Sequence, residues 1–338
     1  MMQLGLMKRF FDTVTPDWRS PLLDEIAAPW FDGPVPVYIR RASANFVAYL
    51  ETPAGKFVLR FNHATERTPA QVAGELAWLT QLAGRGVRAA QPLASRAGRL
   101  VESVPTALGL FHAALFERLP GEHLEFETLD LAGFARWGQV VGTLHRGGQG
   151  LPAEGRACWS DWLETFRQAV PAAETLAWRE LAAVEAALRA LPQPAAEYGL
   201  IHYDLELDNL CWEGETAGLI DFDDCSWHWL AADVAFALRD LWADSAAQVN
   251  LEEARFQAFL GGYRSQRDLS AAEVRRIPLF LRFHNLVSFA RITRSLAEGP
   301  LAGEPEWVGG LRRHLGGKLA GYRQDFAAHP LESVYSAE

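Results

Sequence analysis

The apolar residues of the chain change their spacing at one point, the dipeptide Pro120-Gly121. Before it, from about residue 35 to residue 119, apolar residues come in short strand-like runs separated by turn-forming stretches such as residues 52–55. After it, they recur at helical spacing over long stretches. The pattern predicts an α+β fold of two lobes, in which a small antiparallel β lobe with one helix precedes a larger, mainly helical lobe.

The length of 338 residues, 49% of them hydrophobic, allows a large core and favours this division. We expect a helical N-terminal extension at 1–34, the small lobe at 35–119 and the large lobe at 120–338. Helices of the large lobe are predicted at 129–146, 159–170 and 175–190, with several more after residue 233.

The predicted strands of the small lobe are 35–39, 46–50, 56–61, 89–93, 99–104 and 111–119. One helix interrupts them. Thr68 supplies an N-cap, Pro69 the first helical position and Gln71 the partner of a capping box, so a helix should run from about residue 69 to 83 and stop at Gly84.

Glu75 is the unusual residue of that helix. At 100° per residue it falls inside the apolar stripe that includes Val72, Leu76 and Leu79. A carboxylate on a buried face needs a partner, so the sequence predicts that another side chain pairs with Glu75.

Charge and cysteine content exclude several classes of protein. With 32 basic against 42 acidic residues, the net charge of -10 provides no surface for a nucleic acid or an anionic membrane and fits a neutral or cationic partner better. The three cysteines show no CxxC spacing, which argues against a disulfide framework or structural zinc. No stretch resembles a leader or a membrane span, so we expect a cytoplasmic protein.

The segment from His202 through Asp204 to Asn209 has the spacing H-x-D-x-x-x-x-N. Three fixed positions alone would match a chain of this length by chance about one time in twenty-five. The continuation makes the match more specific, because an apolar run ends in Asp221 after only eleven intervening residues, the length of one short β-hairpin. Asp204, Asn209 and Asp221 would then form an oxygen-rich site suited to Mg²⁺.

These residues resemble the catalytic and metal motifs of the aminoglycoside phosphotransferase and choline kinase family, and the resemblance covers roughly residues 35 to 290. It implies a protein-kinase-like fold and an ATP- and Mg²⁺-dependent phosphotransferase acting on a hydroxyl of a small molecule. Asp204 would be the catalytic residue that orients the acceptor hydroxyl, and Asn209 and Asp221 would be the metal ligands.

The resemblance extends to the nucleotide-binding residues of the small lobe. Arg60 stands on the strand whose basic residue holds the phosphates, and Glu75 stands where the helix glutamate should pair with it. Arg60 replaces the lysine of protein kinases, which changes the hydrogen-bond geometry. Lys56, four residues earlier at a turn, is the weaker candidate.

The remaining nucleotide contacts are expected from two segments. The loop at 41–46 contains no G-x-G-x-x-G, so Ser43, Asn45 and backbone amides would contact the phosphates. Residues 116–121, which include Glu117 and Leu119, are similar to the segment that links the lobes and meets the adenine edge.

The acceptor is the least constrained part of the prediction. Glu206, Asp208 and Asp223 lie close to the motif residues and could bind a cationic acceptor, but solvated loop charge explains them equally well. Homoserine, choline, ethanolamine, an aminoglycoside, a methylthiosugar and a fructosamine all stay open. Asp233 is interpreted as a helix cap. A catalytically silent nucleotide-binding regulatory protein of the same fold is the alternative function.

Overall fold

The computed structural model describes residues 1–300 and 303–336. Its strands are β1 (Val37–Ala42), β2 (Phe46–Thr52), β3 (Gly55–His63), β4 (Pro92–Leu93), β5 (Glu102–Thr106), β6 (Gly109–Glu117), β7 (Tyr198–Ile201), β8 (Leu210–Glu213), β9 (Thr216–Leu219) and β10 (Ser226–Trp229). Its helices are α1 (Leu4–Phe11), α2 (Pro21–Ala27), α3 (Pro69–Ala83), α4 (Leu131–Gly148), α5 (Trp159–Ala169), α6 (Thr175–Ala190), α7 (Leu230–Ala237), α8 (Ala254–Arg264), α9 (Ala271–Arg275), α10 (Ile277–Leu296), α11 (Glu306–Ala328) and α12 (Leu331–Val334).

The small lobe is one antiparallel sheet in the order β1-β2-β3-β6-β4, with β5 also paired to β6. Its buried face carries a cluster of aromatic rings, in which Phe46 and Phe61 stack at 5.2 Å and Phe10 of α1 lies 4.4 Å from Phe46. Burial of such rings is the main stabilisation of a sheet this small. The N-terminal helix α1 therefore completes the core of the small lobe.

Helix α3 has the predicted bounds, and the reciprocal hydrogen bonds of the capping box between Thr68 and Gln71 are present. The strands of the small lobe are also close to where the sequence predicts them, with three main differences. Strand β1 begins two residues later and continues to Ala42, β4 is reduced to Pro92 and Leu93, and β5 begins three residues later than the predicted strand at 99–104. Pro92 and Leu93 pair with β6, whereas Ala89 of the same apolar run forms a single parallel bridge with Leu219 of β9.

The large lobe is built around α10, which is buried along most of its length and packs against α5, α6, α7 and α11. Helices α4 and α8 lie so close that a Cβ at Gly138 or Gly262 would overlap backbone atoms of the opposite helix. Glycine is required at those two crossings because only a bare backbone allows that approach. Together the two lobes form the α+β arrangement that the sequence predicts, with a small antiparallel sheet followed by a larger, mainly helical lobe.

Within the described residues, no helix is both long enough and apolar enough to cross a membrane.

Candidate active site

Two short two-stranded sheets, β7 with β10 and the hairpin of β8 and β9, bring the motif residues together. Strand β7 ends at Ile201, so the next residues leave the sheet as a loop that carries Asp204, and β8 begins directly after Asn209. Strand β9 returns to Asp221, and the N–H of Ile220 donates to the carbonyl of Asn209 at 3.1 Å. The amide nitrogen of Asn209 donates to the Oδ2 of Asp204 at 3.2 Å and to its carbonyl at 2.7 Å. The three predicted residues thus lie in one cluster.

The loop that carries Asp204 is held in place by the buried side chain of Asp233. Its carboxylate accepts from the backbone N–H groups of His202 (2.9 Å) and Tyr203 (2.8 Å) and contacts Nε2 of His145 at 2.9 Å. Tyr203 has φ of 79°, a conformation that a bulky residue adopts only when its surroundings enforce it. The interpretation of Asp233 as a helix cap is wrong, because its side chain bonds this loop and not the start of α7.

Asp233→Asn is expected to reduce the free energy of unfolding by about 2 to 4 kcal/mol, because the amide cannot accept all three hydrogen bonds of a fully buried carboxylate. Denaturant unfolding measures the change. Asp240→Asn, at an exposed aspartate further along the same segment, is the control and should change stability by less than about 0.5 kcal/mol. Equal effects of the two substitutions would contradict the role given to Asp233.

Asp221 also sits in a strained and electrostatically unusual place. Its φ is 60°, again in the left-handed region. Its Oδ1 accepts from Asn45 at 3.2 Å and from Arg60 at 3.4 Å. Burial raises the pKa of Asp221 to about 7, although Arg60 opposes the rise. A carboxylate whose burial is only partly compensated is one that a divalent cation would stabilise.

The partner of Glu75 is Arg60, as the sequence predicts. Arg60 donates to Oε2 of Glu75 at 2.5 Å, and both side chains are buried. The same guanidinium reaches Asp221, so it links α3 to the segment after β9. Lys56 is exposed and pairs with Glu51 at 3.2 Å, which removes it from this network.

Glu75→Gln should destabilise the protein by about 3 kcal/mol, because it leaves a buried guanidinium with Asp221 as its remaining carboxylate partner. The Michaelis constant for the nucleotide should rise as well, since Arg60 would no longer be held in one position. Thermal unfolding and steady-state kinetics measure the two effects. The matched control is Glu51→Gln, which breaks the exposed pair with Lys56 and should cost at most about 1 kcal/mol.

A cleft of about 450 Å³ lies between the lobes. The predicted nucleotide-binding residues all line it: Arg60, Glu75, Ser43, Asn45, Glu117 and Leu119. Asn209 and Asp221 lie on its large-lobe side. Its apolar walls include Val58, Phe116 and Ile220. A flat aromatic base fits between such walls, and the backbone of residues 117–119 borders the same space.

Asn209 and Asp221 fit a magnesium site. The amide nitrogen of Asn209 is bonded to Asp204, which leaves its amide oxygen as the atom that can face a cation. In the part of the chain that the structure describes, no group of three or more His, Cys, Asp or Glu side chains could hold a metal ion. One carboxylate and one amide oxygen are donors that suit Mg²⁺, which takes one or two protein oxygens and completes its shell with water and phosphate.

The three acidic residues predicted to meet a cationic acceptor are already paired with arginines. Glu206 lies 2.5 Å from Arg239, Asp208 lies 3.6 Å from Arg41 and Asp223 lies 2.7 Å from Arg67. Burial raises the pKa of Glu206, with Arg239 opposing the rise, so Glu206 is not a free anion. The structure does not bring Asp223 to the cleft that contains Asn209 and Asp221.

A second pocket, of about 370 Å³, lies next to the loop that carries Asp204. Asp204 lines it together with residues of α10 and one face of α11. We call it the acceptor pocket. Ser43 lines both this pocket and the nucleotide cleft. Asn209 lines the cleft between the lobes, and Asp204 lines the acceptor pocket. The hydrogen bond between these two residues therefore lies at the boundary between the cleft and the pocket.

The family model described as the phosphotransferase enzyme family matches residues 39–269, more than half of the chain. The chain belongs to this family. It is accordingly a small-molecule kinase, a phosphotransferase with an alcohol group as acceptor. The matched range includes every predicted catalytic, metal-binding and nucleotide-binding residue, and it ends before α10 and α11.

Two curated relatives of this phosphotransferase are kinases of different small molecules. Amicoumacin kinase of Bacillus subtilis (strain 168) is 28% identical over 273 residues, which are 77% of this chain and 80% of the relative. Homoserine kinase of Rhodopseudomonas palustris (strain BisB18) is 31% identical over 248 residues, 69% and 71% of the two chains. A solved structure of an amicoumacin kinase in complex with AMP-PNP and Ca²⁺ matches with a TM-score of 0.77, 21% identity and coverage of 95% and 96%, which shows the shared fold.

Sequence reasoning missed one residue that contacts the predicted catalytic residue Asp204, namely Arg239. Its Nη2 lies 2.9 Å from Oδ1 of Asp204 and 2.5 Å from Glu206, and its Nη1 donates to the carbonyl of Phe236. Arg239 lies two residues after the end of the apolar helix α7, and a guanidinium at the end of such a buried stretch needs an acidic partner. That signal was present in the sequence, but it does not say which acid is the partner.

Proposed function

We propose that this phosphotransferase transfers the γ-phosphate of ATP, with Mg²⁺, to a hydroxyl group of a small molecule bound in the acceptor pocket. The observation that carries the proposal is that the nucleotide cleft and the acceptor pocket adjoin each other at Asn209 and Asp204. Asn209 and Asp221 line the nucleotide cleft, Asp204 lines the acceptor pocket, and a hydrogen bond of 3.2 Å joins Asn209 to Asp204.

In this proposal each residue has one task. Asn209 and Asp221 hold the magnesium ion, which supplies charge neutralisation for the phosphates when bound. Arg60, oriented by Glu75, contacts the phosphates from the small lobe. Ser43, Asn45 and the amides of their loop add hydrogen bonds, and the backbone of residues 117–119 meets the base. Positioning and charge stabilisation of this kind supply most of the catalysis of phosphoryl transfer.

Asp204 orients the acceptor hydroxyl and accepts its proton as the bond to phosphorus forms. Both of its oxygens are held in place, Oδ1 by Arg239 and Oδ2 by Asn209. A carboxylate with two such contacts has one orientation toward the acceptor pocket. Positioning of the hydroxyl, more than strong basicity, is therefore the contribution of Asp204 in this proposal.

The silent regulatory alternative predicts a protein that binds nucleotide without turnover. Two features favour catalysis over it. Tyr203 and Asp221 keep strained backbone conformations next to the site, and the buried hydrogen bonds of Asp233 stabilise the loop that presents Asp204. Strain of this kind is characteristic of working catalytic sites.

The test measures ADP formation from ATP with a panel of small hydroxyl compounds, with Mg²⁺ and with excess chelator. The proposal expects turnover that requires both a hydroxyl acceptor and Mg²⁺. Nucleotide binding with no acceptor-dependent turnover across amino alcohols, hydroxy amino acids and sugars would favour the silent alternative. Turnover of equal rate in chelator would contradict the metal assignment.

A further inference from the structure

Helix α11, which borders the acceptor pocket, is rich in glycine. Five of its 23 residues are glycines: Gly309, Gly310, Gly316, Gly317 and Gly321. Glycine loses more backbone freedom on folding than any other residue and is, after proline, the least favourable residue in a helix interior. The helical backbone of α11 is therefore less stable by itself than that of a helix with alanine at these positions.

Packing does not require glycine at these five positions. At three of them, Gly316, Gly317 and Gly321, a Cβ would meet no atom of another part of the chain within 4 Å. At the other two, the nearest atoms belong to the flexible side chain of Arg313, at 3.4 Å and 3.9 Å. The glycines at the crossing of α4 and α8 are different, because a Cβ there would overlap backbone atoms. The glycines of α11 thus weaken the helix without permitting a close contact.

The C-terminal part of α11 is fixed to the rest of the large lobe. Asp325 pairs with Arg282 of α10 at 2.7 Å and accepts a hydrogen bond from Ser245 at 2.8 Å. Arg323 pairs with Glu174, the residue before α6, at 2.6 Å. These contacts hold this end of α11 against two other helices.

The N-terminal part of α11, residues 306–318, has ion pairs of a different kind. Arg312 pairs with Glu304 at 2.8 Å, and Arg313 pairs with Glu306 at 2.6 Å. Each pair stays within the same short stretch of chain, so it does not attach this part of α11 to another element. The two adjacent glycines 316 and 317 lie between this part and the anchored end.

The same N-terminal part forms one wall of the acceptor pocket. Four of its residues line the pocket: Leu311, His314, Leu315 and Lys318. At the start of α11, the ring of Trp307 lies 5.3 Å from that of Phe11 in α1, and Trp307 is 43% exposed. A movement of this part would change access to Asp204, which lines the same pocket.

We propose that residues 306–318 of α11 are a gate that opens by bending or local unfolding at Gly316 and Gly317 and thereby admits the acceptor to its pocket. Lids are drawn from the least stable segments of a protein, because they have to open without global unfolding. In the closed state, the ring contact between Trp307 and Phe11 holds the start of the gate against α1. The assignment rests on the proposed function, because that function makes this pocket the site of the acceptor.

Hydrogen exchange of the full chain without ligands measures the opening. The amides of residues 311–318 should exchange at least about 100-fold faster than those of residues 322–328. The double variant Gly316→Ala/Gly317→Ala should slow exchange at residues 311–318 by about 10-fold, because alanine favours the helical state. Equal protection of the two parts in the unaltered protein would overturn the proposal.

The matched control is Gly261→Ala in α8. A Cβ at Gly261 would also meet no atom of another part of the chain within 4 Å, and Gly261 is not among the residues that line the acceptor pocket. The same glycine-to-alanine change is thus made in a helix away from the gate. It should leave exchange at residues 311–318 within about twofold of the unaltered protein.

A cysteine placed in the pocket tests whether the gate controls access. Ser288 of α10 lines the acceptor pocket and is half-buried. Ser288→Cys is combined with Cys158→Ser, because Cys158 is the partly exposed native cysteine. Ellman's reagent should label the new thiol about 10-fold more slowly when Gly316→Ala and Gly317→Ala are added. Addition of Gly261→Ala should leave the labelling rate unchanged.

An unchanged labelling rate in the gate variant would show that small molecules reach the pocket without movement of α11, and the gate would be wrong. Thermal unfolding checks that each variant folds, and hydrogen exchange decides alone if Ser288→Cys does not fold. Neither measurement requires turnover. Failure of the proposed function is therefore distinguishable, because no acceptor would receive phosphate from ATP while exchange and labelling still slowed in the gate variant.

Discussion

Asp204→Asn should lower kcat by about 10²- to 10⁴-fold, the usual contribution of a positioned proton acceptor. The affinity for the nucleotide should stay nearly unchanged, because Asp204 faces the acceptor pocket and not the nucleotide cleft. Asparagine retains the size of the side chain and can still bond to Asn209. Steady-state kinetics with an identified acceptor, together with a nucleotide titration, separate the two quantities.

The control for this substitution is Asp240→Asn, which removes a carboxylate from the same lobe outside both the nucleotide cleft and the acceptor pocket. It should leave kcat within about twofold of the unaltered protein. Undiminished turnover of Asp204→Asn would show that another group orients the hydroxyl, and the catalytic assignment would fail.

Asp221→Asn should weaken Mg²⁺-dependent nucleotide binding and also lower turnover by about 10²- to 10³-fold. The reason is that Asp221 is the one charged ligand of the proposed metal site, beside the neutral amide of Asn209. The substitution also removes a carboxylate from Arg60, which keeps Glu75 as its partner. Calorimetric titration of ATP with Mg²⁺ and with excess chelator measures the effect.

A comparison of ATP affinity with Mg²⁺ and with excess chelator distinguishes a metal ligand from a structural residue. For the unaltered protein, the chelator should weaken ATP binding strongly, whereas for Asp221→Asn it should change little. A variant that loses affinity equally with and without Mg²⁺ would point to lost structure instead. Equal ATP affinity of the unaltered protein in both conditions would contradict the metal site.

The features that the sequence predicts well are local or depend on short spacings. The helix from Pro69 to Ala83 follows from the capping box that starts at Thr68. The cluster of Asp204, Asn209 and Asp221 follows from one hairpin, because eleven residues suffice to return the chain to the same edge. Long-range pairing can be predicted where one partner is conspicuous, as Glu75 is on the apolar face of its helix.

The sequence does not predict ion pairs between charged side chains that are far apart in the chain. Glu206 reads as a free carboxylate next to the catalytic aspartate, but Arg239 is 33 residues away in the chain and neutralises it. Asp223 is bound by Arg67 from the small lobe in the same way. The spacing of apolar and polar residues indicates which side chains are buried, but it does not show which arginine pairs with which acidic residue.

The left-handed backbone at Ala243 is another feature that the sequence does not mark, since alanine gives no local signal for that conformation.

The most direct test of the account is identification of the phosphorylated product by phosphorus NMR after incubation with ATP, Mg²⁺ and a panel of small hydroxyl compounds. The account predicts a phosphate monoester of the acceptor, formed together with ADP, and no such product from Asp204→Asn over the same time. Release of inorganic phosphate without a monoester, or a monoester formed equally well by Asp204→Asn, would contradict transfer at the site formed by Asp204, Asn209 and Asp221.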